Sequence, residues 1–344
     1  MSISKIKKFF HTLSGEEKKG SAWDNTKTNK TINENGKRKS SRTRYGNLTL
    51  QQATQRHIDQ AQYSTAKNYR MALRSMKAYN GGRDVLLCSI TPQFVAGYEK
   101  WLKAKGVCKN TISCYMRSAR ALYRKAGKIP NQPKTDPFAA VFTGNAKTRK
   151  RSITEEELSR LMALELSGQP SLQFARDLFL FSFYAMGMPF VDMCSLEKVH
   201  IEGDSIYYER RKTGQAITVR IEPCMRDIIN RYDDPDSTWV FPIFKSNTSK
   251  DFHQQYASKL THYNIMLRKL GEKAGIRKSL SSYVSRHTWA SIAHESNVDL
   301  NIISRAMGHT NSMTTLIYIA EIRDEKLAEA NKKILNRLQM MQEI

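Results

Sequence analysis

The sequence predicts a mainly α-helical protein with one small antiparallel β-sheet, divided into two domains. Apolar residues recur at helical spacing from Leu48 to about Ala126, and helical patterns return after residue 153. Only between about Val199 and Ile221 does the apolar period shorten toward two, which is the spacing of a strand. A length of 344 residues is enough for two or three domains with a proper core.

The charge of the chain favours a nucleic acid as its partner. Lys and Arg number 56 against 32 Asp and Glu, which gives a formal net charge of +24. A surplus of this size favours a polyanion. A basic nucleic-acid coat protein is disfavoured, because 40% of the residues are hydrophobic and would form a core.

Cysteine usage and hydropathy point to the cytoplasm. The five cysteines form no C-x-x-C pair, which fits reduced thiols rather than a disulfide framework or a zinc site. No apolar run approaches the roughly 20 residues that a membrane helix needs. We therefore expect a cytoplasmic, nucleoid-associated protein with no membrane segment, no bound metal and no cofactor.

The domain boundaries follow from changes in composition. Residues 1–45 lack sustained apolar periodicity and are predicted to form a flexible basic arm, which either contacts DNA or contributes only electrostatics. Residues 46–130 are predicted to form a helical domain. Residues 131–152, rich in Pro, Gly and basic residues, are predicted to form a linker. Residues 153–344 are predicted to form the second domain, which ends in an amphipathic helix.

Two basic stripes are predicted on amphipathic helices of the first domain. Thr91-Pro92 and Asn110 or Thr111 are predicted helix starts in this region. Either stripe alone has the composition of an ordinary solvated face. Two stripes of nearly pure positive charge in so basic a chain predict contacts with DNA phosphates. The stripes consist of Lys67, Arg70, Arg74 and Lys77, and of Arg117, Arg120 and Arg124.

The second domain is predicted to open with a capping box and to contain a β-hairpin. Thr154 and Glu157 have the spacing of that box. The apolar stretch from Phe174 to Met188 is predicted to be the buried central helix. The hairpin has its predicted turn at Lys212-Thr213-Gly214-Gln215, and helices resume from about Pro223.

Three short helices are predicted between residues 281 and 320. Ser281 or Ser282 is expected to cap the first, which runs to about Ser296. Asp299 is expected to cap the second, which Gly308 ends. The third starts at Thr310 or Asn311 and carries Tyr318. The turns between them would bring an arginine, two histidines and a tyrosine together, a set able to break and reseal a phosphodiester.

The same stretch resembles the tyrosine recombinase (phage integrase) family. The matching residues are Arg286-His287-Thr288-Trp289-Ala290, Gly308-His309 and Thr314-Thr315, with Tyr318 nine positions after the histidine of the second motif. The resemblance extends over roughly residue 48 to the C-terminus. It implies a helical core-binding domain followed by a tyrosine-recombinase catalytic domain. The implied function is site-specific DNA recombination of the integrase or invertase type, by four protomers on two sites in double-stranded DNA, with accessory DNA-bending proteins as further partners.

The resemblance also implies a role for each matching residue. Tyr318 would attack phosphorus and form a 3′-phosphotyrosyl bond. Arg286 would bind the non-bridging phosphate oxygens, for which a planar fork is better suited than an ammonium group. His309 would donate a hydrogen bond to the same phosphate. Lys212 would protonate the leaving 5′-oxygen, and His287 would support the site from behind.

The sequence departs from the family pattern at two positions. Tyr283 stands where the family usually has a histidine, and it could donate a hydrogen bond from one helical turn before Arg286. Pro189 falls where the family has its first arginine, and losing one such donor costs about 2.7–4 kcal/mol. Arg210, two residues before Lys212 and on the same strand face, is our candidate replacement, although it could equally contact only the DNA backbone. The missing arginine keeps open a second function, a catalytically weak or inactive DNA-binding regulator derived from a recombinase.

Overall fold

The chain divides into two units, with the boundary between Ala146 and Lys147, in a computed structural model. The structure describes residues 48–127, 135–146, 151–244 and 252–317. The predicted arm 1–45, the predicted C-terminal helix and Tyr318 lie outside the described residues. Within the described part, the prediction of a mainly helical protein with a small antiparallel sheet is confirmed.

The described residues of unit 1 form four α-helices and a short 3₁₀ helix. Thr91 caps its third helix by accepting a hydrogen bond from the backbone of Phe94, and Pro92 occupies the first turn, as the sequence predicts. The fourth helix is capped at Cys108, so it begins slightly before the predicted start. The elements are α1 (Leu50–Asp59), α2 (Tyr63–Tyr79), the 3₁₀ helix Leu87–Ser89, α3 (Pro92–Ala104) and α4 (Lys109–Lys125).

The described part of the predicted linker, residues 135–146, packs onto unit 1. Phe138 is fully buried in the same apolar cluster as Met116 and Leu122. The side chain of Asn110 pairs with both backbone groups of Ala146, at 3.1 and 2.7 Å. These residues therefore do not act as a spacer, because an apolar anchor and paired hydrogen bonds hold them against α4.

Unit 2 contains seven α-helices within its described residues, and one three-stranded sheet. The helices are α5 (Glu155–Met162), α6 (Pro170–Tyr184), α7 (Phe190–Met193), α8 (Pro223–Arg231), α9 (Phe252–Lys273), α10 (Val284–Glu295) and α11 (Leu300–Ala306). Short 3₁₀ helices span Lys198–His200 and Ser312–Ile317. The strands are β1 (Ile201–Glu202), β2 (Ser205–Glu209) and β3 (Ala216–Arg220), and their order in the sheet is β1-β2-β3.

The predicted hairpin is present, with β2 antiparallel to β3. Ile206 pairs with Val219 and Tyr208 with Ile217, and all four side chains are buried on one face of the sheet. Gly214 adopts a φ of +66° in the turn, a conformation that favours glycine. The alternation read from the sequence therefore gave the correct register of inward and outward residues.

Helix α6 is the buried centre of unit 2, and its end shapes the site. It packs against both α9 and α10, and Phe179 and Phe181 are fully buried. The helix stops at Tyr184, before the predicted end at residue 188. Met186 and Gly187 then adopt φ values of +55° and +75°, so the apolar run continues as a tight turn. No helix in the described part of the chain is both long and apolar enough to cross a membrane.

Candidate active site

Arg286 is the centre of a buried hydrogen-bond network at the start of α10. Only 1% of its surface is exposed. Its Nη1 donates to the carbonyl oxygen of Gly187 at 2.7 Å, and its Nη2 donates to that of Met307 at 2.5 Å. The same Nη2 lies 3.1 Å from Nε2 of His309. The guanidinium is therefore held in one orientation by groups from two other segments.

The absence of a side chain at Gly187 is what lets the end of α6 approach Arg286. A Cβ atom placed there would lie 2.9 Å from Cγ and 3.0 Å from Cα of Arg286. Real Cβ atoms essentially never show a contact of 2.9 Å, and the 3.0 Å contact is to a backbone atom that cannot swing aside. Gly187 thus has two functions, the left-handed turn and the close approach to Arg286.

Hydroxyl groups attach α10 to its surroundings. Ser285 and Ser182 share a 2.7 Å hydrogen bond, and Ser182 also donates to the carbonyl of Met188. Thr288 accepts from the backbone of Ile153 at 3.1 Å. The predicted cap at Ser281 or Ser282 is wrong, because Tyr283 occupies the N-cap position without a side-chain cap. The helix is fixed by these lateral hydrogen bonds instead.

Arg210 lies beside Arg286 and is almost as deeply buried, with 3% of its surface exposed. Its Nη1 donates to the carbonyl oxygens of Met307 at 2.9 Å and Gly308 at 2.7 Å. The Met307 oxygen therefore accepts hydrogen bonds from both guanidinium groups. Nε of Arg210 is buried and makes no hydrogen bond within the described part of the chain.

The prediction that Arg210 shares a strand face with Lys212 is wrong, although Arg210 does lie next to Arg286. Strand β2 ends at Glu209, and the turn begins at Arg210, whose backbone pairs with Gln215 at 2.9 Å. Arg210 is buried whereas Lys212 is exposed, so the two side chains do not share a strand face. The turn places Arg210 under the loop that contains His309.

The loop after α11 positions His309, as the sequence predicts. Asp299 caps α11 by accepting from the backbone of Asn301 at 2.8 Å. Gly308 follows the helix with a φ of +61°. A Cβ atom on Gly308 would lie 2.7 Å from Cδ1 of Ile217 and 3.0 Å from Cδ of Arg210. This glycine therefore lets the loop sit directly on the hairpin.

His309 is neutral at pH 7, and its hydrogen bonds assign its tautomer. A guanidinium can only donate, so Nε2 accepts from Arg286 and Nδ1 carries the proton. That Nδ1 proton points to Oγ1 of Thr315 at 2.9 Å. Burial, and after it the positive charges of Arg286, Arg210 and Lys212, together lower the pKa of His309 from 6.5 to about 4.

The remaining predicted residues of the second domain that the structure describes are Lys212, Tyr283 and His287. Lys212 is exposed in the hairpin turn, and neighbouring Thr213 ties that turn to the carbonyl of Gly308 at 3.1 Å. Tyr283 is 40% exposed and lies one turn before Arg286, and His287 is half-buried. Arg286, Arg210 and His309 are thus brought together, with Lys212 close enough for its charge to act on the histidine.

Asp192 is a residue of the site that the sequence reasoning missed. It lies in α7 with 3% of its surface exposed, and its Oδ1 accepts from the backbone of Arg211 at 3.1 Å. Burial raises the pKa of its carboxyl group, and the charges of Arg210 and Arg286 act against that rise. A carboxylate in the apolar run that follows the Gly187 turn was the available signal, since a buried charge requires a partner.

The basic stripe on α4 faces residues 135–146. Nε of Arg120 and Nη2 of Arg124 both reach Oδ2 of Asp136, at 2.8 and 2.9 Å. Arg117 donates to the side chain of Asn145 at 3.1 Å. The three arginines predicted to contact DNA therefore have partners within unit 1, which any phosphate would have to displace.

The stripe on α2 is more open. Nη2 of Arg70 lies 3.8 Å from Oδ1 of Asp59, and Nζ of Lys77 lies 3.0 Å from Oδ1 of Asp84. The basic side chain of each pair is exposed. Exposed pairs of this kind contribute little, about 0–1 kcal/mol. Lys67 and Arg74 are also exposed. All four side chains are accessible to a polyanion.

Comparisons with known proteins agree with this arrangement. Residues 151–324 match the model of the phage integrase family, and residues 47–138 match that of the phage integrase SAM-like domain. The first match alone spans half of the chain. The chain belongs to the phage integrase family. It is a site-specific DNA recombinase of the tyrosine type.

Similar proteins include two curated recombinases. The tyrosine recombinase XerA of Thermococcus onnurineus is 26% identical over 237 residues, which are 67% of this recombinase and 78% of that protein. The tyrosine recombinase XerC of Shewanella oneidensis is 25% identical over 290 residues, 78% of this chain and 89% of that one.

Two solved structures share the fold. The Tn1549 transposon integrase, in complex with transposon right end DNA, has a TM-score of 0.61 at 15% identity and covers 84% of this recombinase and 100% of that chain. A lambda integrase dimer bound to a core site has a TM-score of 0.60 at 15% identity, with 79% and 95% coverage. Among the described residues of this recombinase, no group of side chains has the composition of a metal site.

Proposed function

We propose that this recombinase cuts and rejoins DNA through a 3′-phosphotyrosyl intermediate on Tyr318, in a reaction of the integrase or invertase type. The observation that carries the proposal is the convergence of Arg286, Arg210 and His309 on the loop at Met307. Such fixed donors stabilise the charge that develops on a phosphate during attack. Tyr318 follows this loop closely in the sequence, as the nucleophile must.

The reaction needs one bond made and one broken at phosphorus. The phenol oxygen of Tyr318 bonds to phosphorus and releases its proton to solvent water, and the bond from phosphorus to the 5′-oxygen breaks. The leaving 5′-oxygen takes a proton from Nζ of Lys212, which the hairpin turn exposes beside the site. Rejoining is the reverse reaction with a 5′-hydroxyl of the partner strand. The energy of the broken bond is kept in the protein–DNA ester.

Arg286 and His309 would bind the non-bridging oxygens of the same phosphate. The carbonyl oxygens of Met307 and Gly187 fix the guanidinium of Arg286, and His309 is held next to that guanidinium. In the free chain Nε2 of His309 accepts from Arg286, so binding of a phosphate requires this pair to separate. Tyr283 and His287 are proposed to line the same site.

Arg210 is proposed to supply the second guanidinium in place of the arginine that the family has where Pro189 stands. Pro189 is buried at the start of α7 and provides no cation. Arg210 shares the Met307 oxygen with Arg286, and this closeness of the two guanidinium groups supports its role as a second phosphate ligand. The cation would thus come from the end of β2 rather than from the turn after α6.

Double-stranded DNA is the proposed partner, with four protomers acting on two sites. Solved structures of lambda integrase include a dimer bound to a core site and a tetramer bound to a Holliday junction. The exposed cations on α2, with the α4 arginines if phosphates displace Asp136, would contact the duplex backbone. Accessory DNA-bending proteins and action on nucleoid DNA in the cytoplasm complete the proposal.

The test is the covalent adduct. The preferred sequence is first selected from a pool of random duplexes, and a nicked version of it is incubated with the full chain. An adduct that survives denaturation is expected for the wild type and not for Tyr318→Phe, which should bind the duplex equally well. Sequence-specific binding without any adduct in the wild type would instead identify a non-catalytic DNA-binding protein.

A further inference from the structure

Thr315 connects the segment that leads to Tyr318 with the histidine of the site. It lies in the 3₁₀ helix Ser312–Ile317, and its side chain is completely buried. Its Oγ1 lies 2.9 Å from Nδ1 of His309. Burial of a hydroxyl is unfavourable unless the group is hydrogen-bonded, so this contact accounts for a threonine where an apolar residue would pack equally well.

The two ring nitrogens of His309 have different kinds of partner. Nε2 faces Arg286, which can only donate, and Nδ1 faces a hydroxyl, which can either donate or accept. A neutral imidazole carries one proton, on one nitrogen or the other. Thr315 is therefore a partner that fits both neutral tautomers, whereas Arg286 fits only one of them.

We propose that Thr315 is a positioning residue that holds His309 in whichever tautomer each stage of recombination needs. This inference rests on the proposed function, in which Arg286 and His309 bind the scissile phosphate. In the free chain the Thr315 hydroxyl accepts a hydrogen bond from Nδ1–H, while Nε2 accepts one from Arg286. When the phosphate takes the donors of Arg286, Nε2 needs a proton of its own to donate to that phosphate.

The change of tautomer balances without a change of charge. Nδ1 gives its proton to water and Nε2 takes one from water, and the hydroxyl of Thr315 rotates to donate to Nδ1. A cationic ring, with protons on both nitrogens, is disfavoured because Arg286, Arg210 and Lys212 surround it with positive charge. Only the hydroxyl proton has to be reoriented within the protein, so the ring can keep its place in the site.

Replacing Thr315 with valine removes the hydroxyl and keeps the shape, and replacing it with serine keeps the hydroxyl. The first test uses the full chain with ¹⁵N-labelled histidine and no DNA. His309→Asn identifies the signal, and its ¹⁵N shifts report which nitrogen is protonated. We expect the Nδ1–H tautomer in all three proteins, because Arg286 requires Nε2 to accept a hydrogen bond. We expect the ¹⁵N shift of Nδ1 to change in Thr315→Val and not in Thr315→Ser, because only the valine variant removes the acceptor of the Nδ1 proton. A Nδ1 shift in the valine variant equal to that in the serine variant would overturn the proposal.

The second test measures formation of the covalent adduct on the selected nicked duplex. Loss of a buried hydrogen bond predicts a roughly 10- to 100-fold slower reaction for Thr315→Val. Thr315→Ser should react close to the wild-type rate, and both variants should bind the duplex equally well. A valine variant as fast as the serine variant would refute the role.

Two further outcomes are separable. If Thr315→Val does not fold by circular dichroism, Thr315→Ala takes its place with the serine variant as its control, and the same change in the Nδ1 shift is expected. If the wild type itself forms no adduct, the proposed function fails, and the NMR comparison still decides whether the Thr315 hydroxyl holds Nδ1 of His309.

Discussion

Replacement of Arg210 by alanine is the most informative perturbation of this site. If Arg210 supplies the missing guanidinium, its loss removes one donor to the developing charge. Removal of one such donor costs about 2.7–4 kcal/mol, or about a hundred- to a thousand-fold in rate. Arg210→Lys keeps a charge but loses the planar fork, so its defect should be smaller than that of the alanine variant.

The structure predicts that the alanine variant keeps its fold. The Met307 oxygen would still accept from Arg286, and the Gly308 oxygen would still accept from Oγ1 of Thr213. Neither carbonyl is left without a donor, so the main loss of stability is the packing of the aliphatic stem. We expect about 1–2 kcal/mol in the free energy of unfolding, measured by urea denaturation.

Arg211→Ala is the matched control. Arg211 is the adjacent residue in the same turn, but it is exposed and its side chain lies over Phe252 and donates to Ser195. The assay follows adduct formation on the selected nicked duplex, with duplex affinity measured separately. We expect loss of the adduct in Arg210→Ala with unchanged affinity, and wild-type behaviour in Arg211→Ala.

Two results would contradict this reasoning. Equal adduct rates for the alanine variants at 210 and 211 would remove Arg210 from the reaction. A parallel loss of stability, duplex affinity and adduct in Arg210→Ala alone would assign it a structural role under the Met307–Gly308 loop.

Three further predictions concern the surroundings of the site. Gly187→Ala should lower the free energy of unfolding by more than Gly168→Ala. Both variants place an alanine in the left-handed region, which costs about 1–2 kcal/mol, but only the Cβ atom at residue 187 meets Arg286. Equal unfolding free energies for the two variants would contradict this. Asp136→Asn should release its two arginine partners and tighten duplex binding, with a log affinity–log salt slope steeper by about 1–2; an unchanged slope would mean that this face does not meet DNA. The pKa of His309 is about 4 in the folded chain and 6.5 in the unfolded chain, so the folded chain binds fewer protons and loses stability as pH falls from 6.5 to 4. The expected loss in the free energy of unfolding is about 1–2 kcal/mol after solvent screening. Urea denaturation at pH 7 and pH 4.5 should show this loss in the wild type and not in His309→Asn. The same dependence of stability on pH in both proteins would contradict the prediction.

The fold was predictable where a local pattern and its tertiary role agree. The period-two alternation around Ile206 and Ile217 fixed the hairpin, because one face of that sheet is buried. Asp299 and Gly308 marked the ends of α11 through capping chemistry that does not depend on distant residues. The packing of residues 135–146 was not predicted, because the basic residues on either side of them dominate the composition of the segment 131–152, although Phe138 and Val141 are apolar and buried.

The sequence predicted Arg286, Arg210 and His309 as members of one site, but it predicted neither Asp192 nor the hydrogen bonds that connect these residues. The spacing of Arg286 and His309 identified both residues, yet nothing in the sequence shows that Arg286 donates to Nε2 of the histidine. Thr315 was visible only as part of a motif, and its contact with Nδ1 depends on how the 3₁₀ helix folds back. Hydrogen bonds between residues far apart in the chain are set by the fold, so sequence spacing alone does not give them.

Arg210 shows why an aligned position and a chemical position can differ. Alignment places the first arginine of the family at residue 189, in the turn after α6, and the chain has a buried proline there. The end of β2 approaches the same loop from the other side, and its arginine reaches the Met307 carbonyl that Arg286 also contacts. A transition state responds to the charge at a point in space and not to the segment that supplies it. The missing arginine is therefore weak evidence for an inactive protein, since a buried guanidinium shares the Met307 carbonyl with Arg286, as the proposed replacement requires.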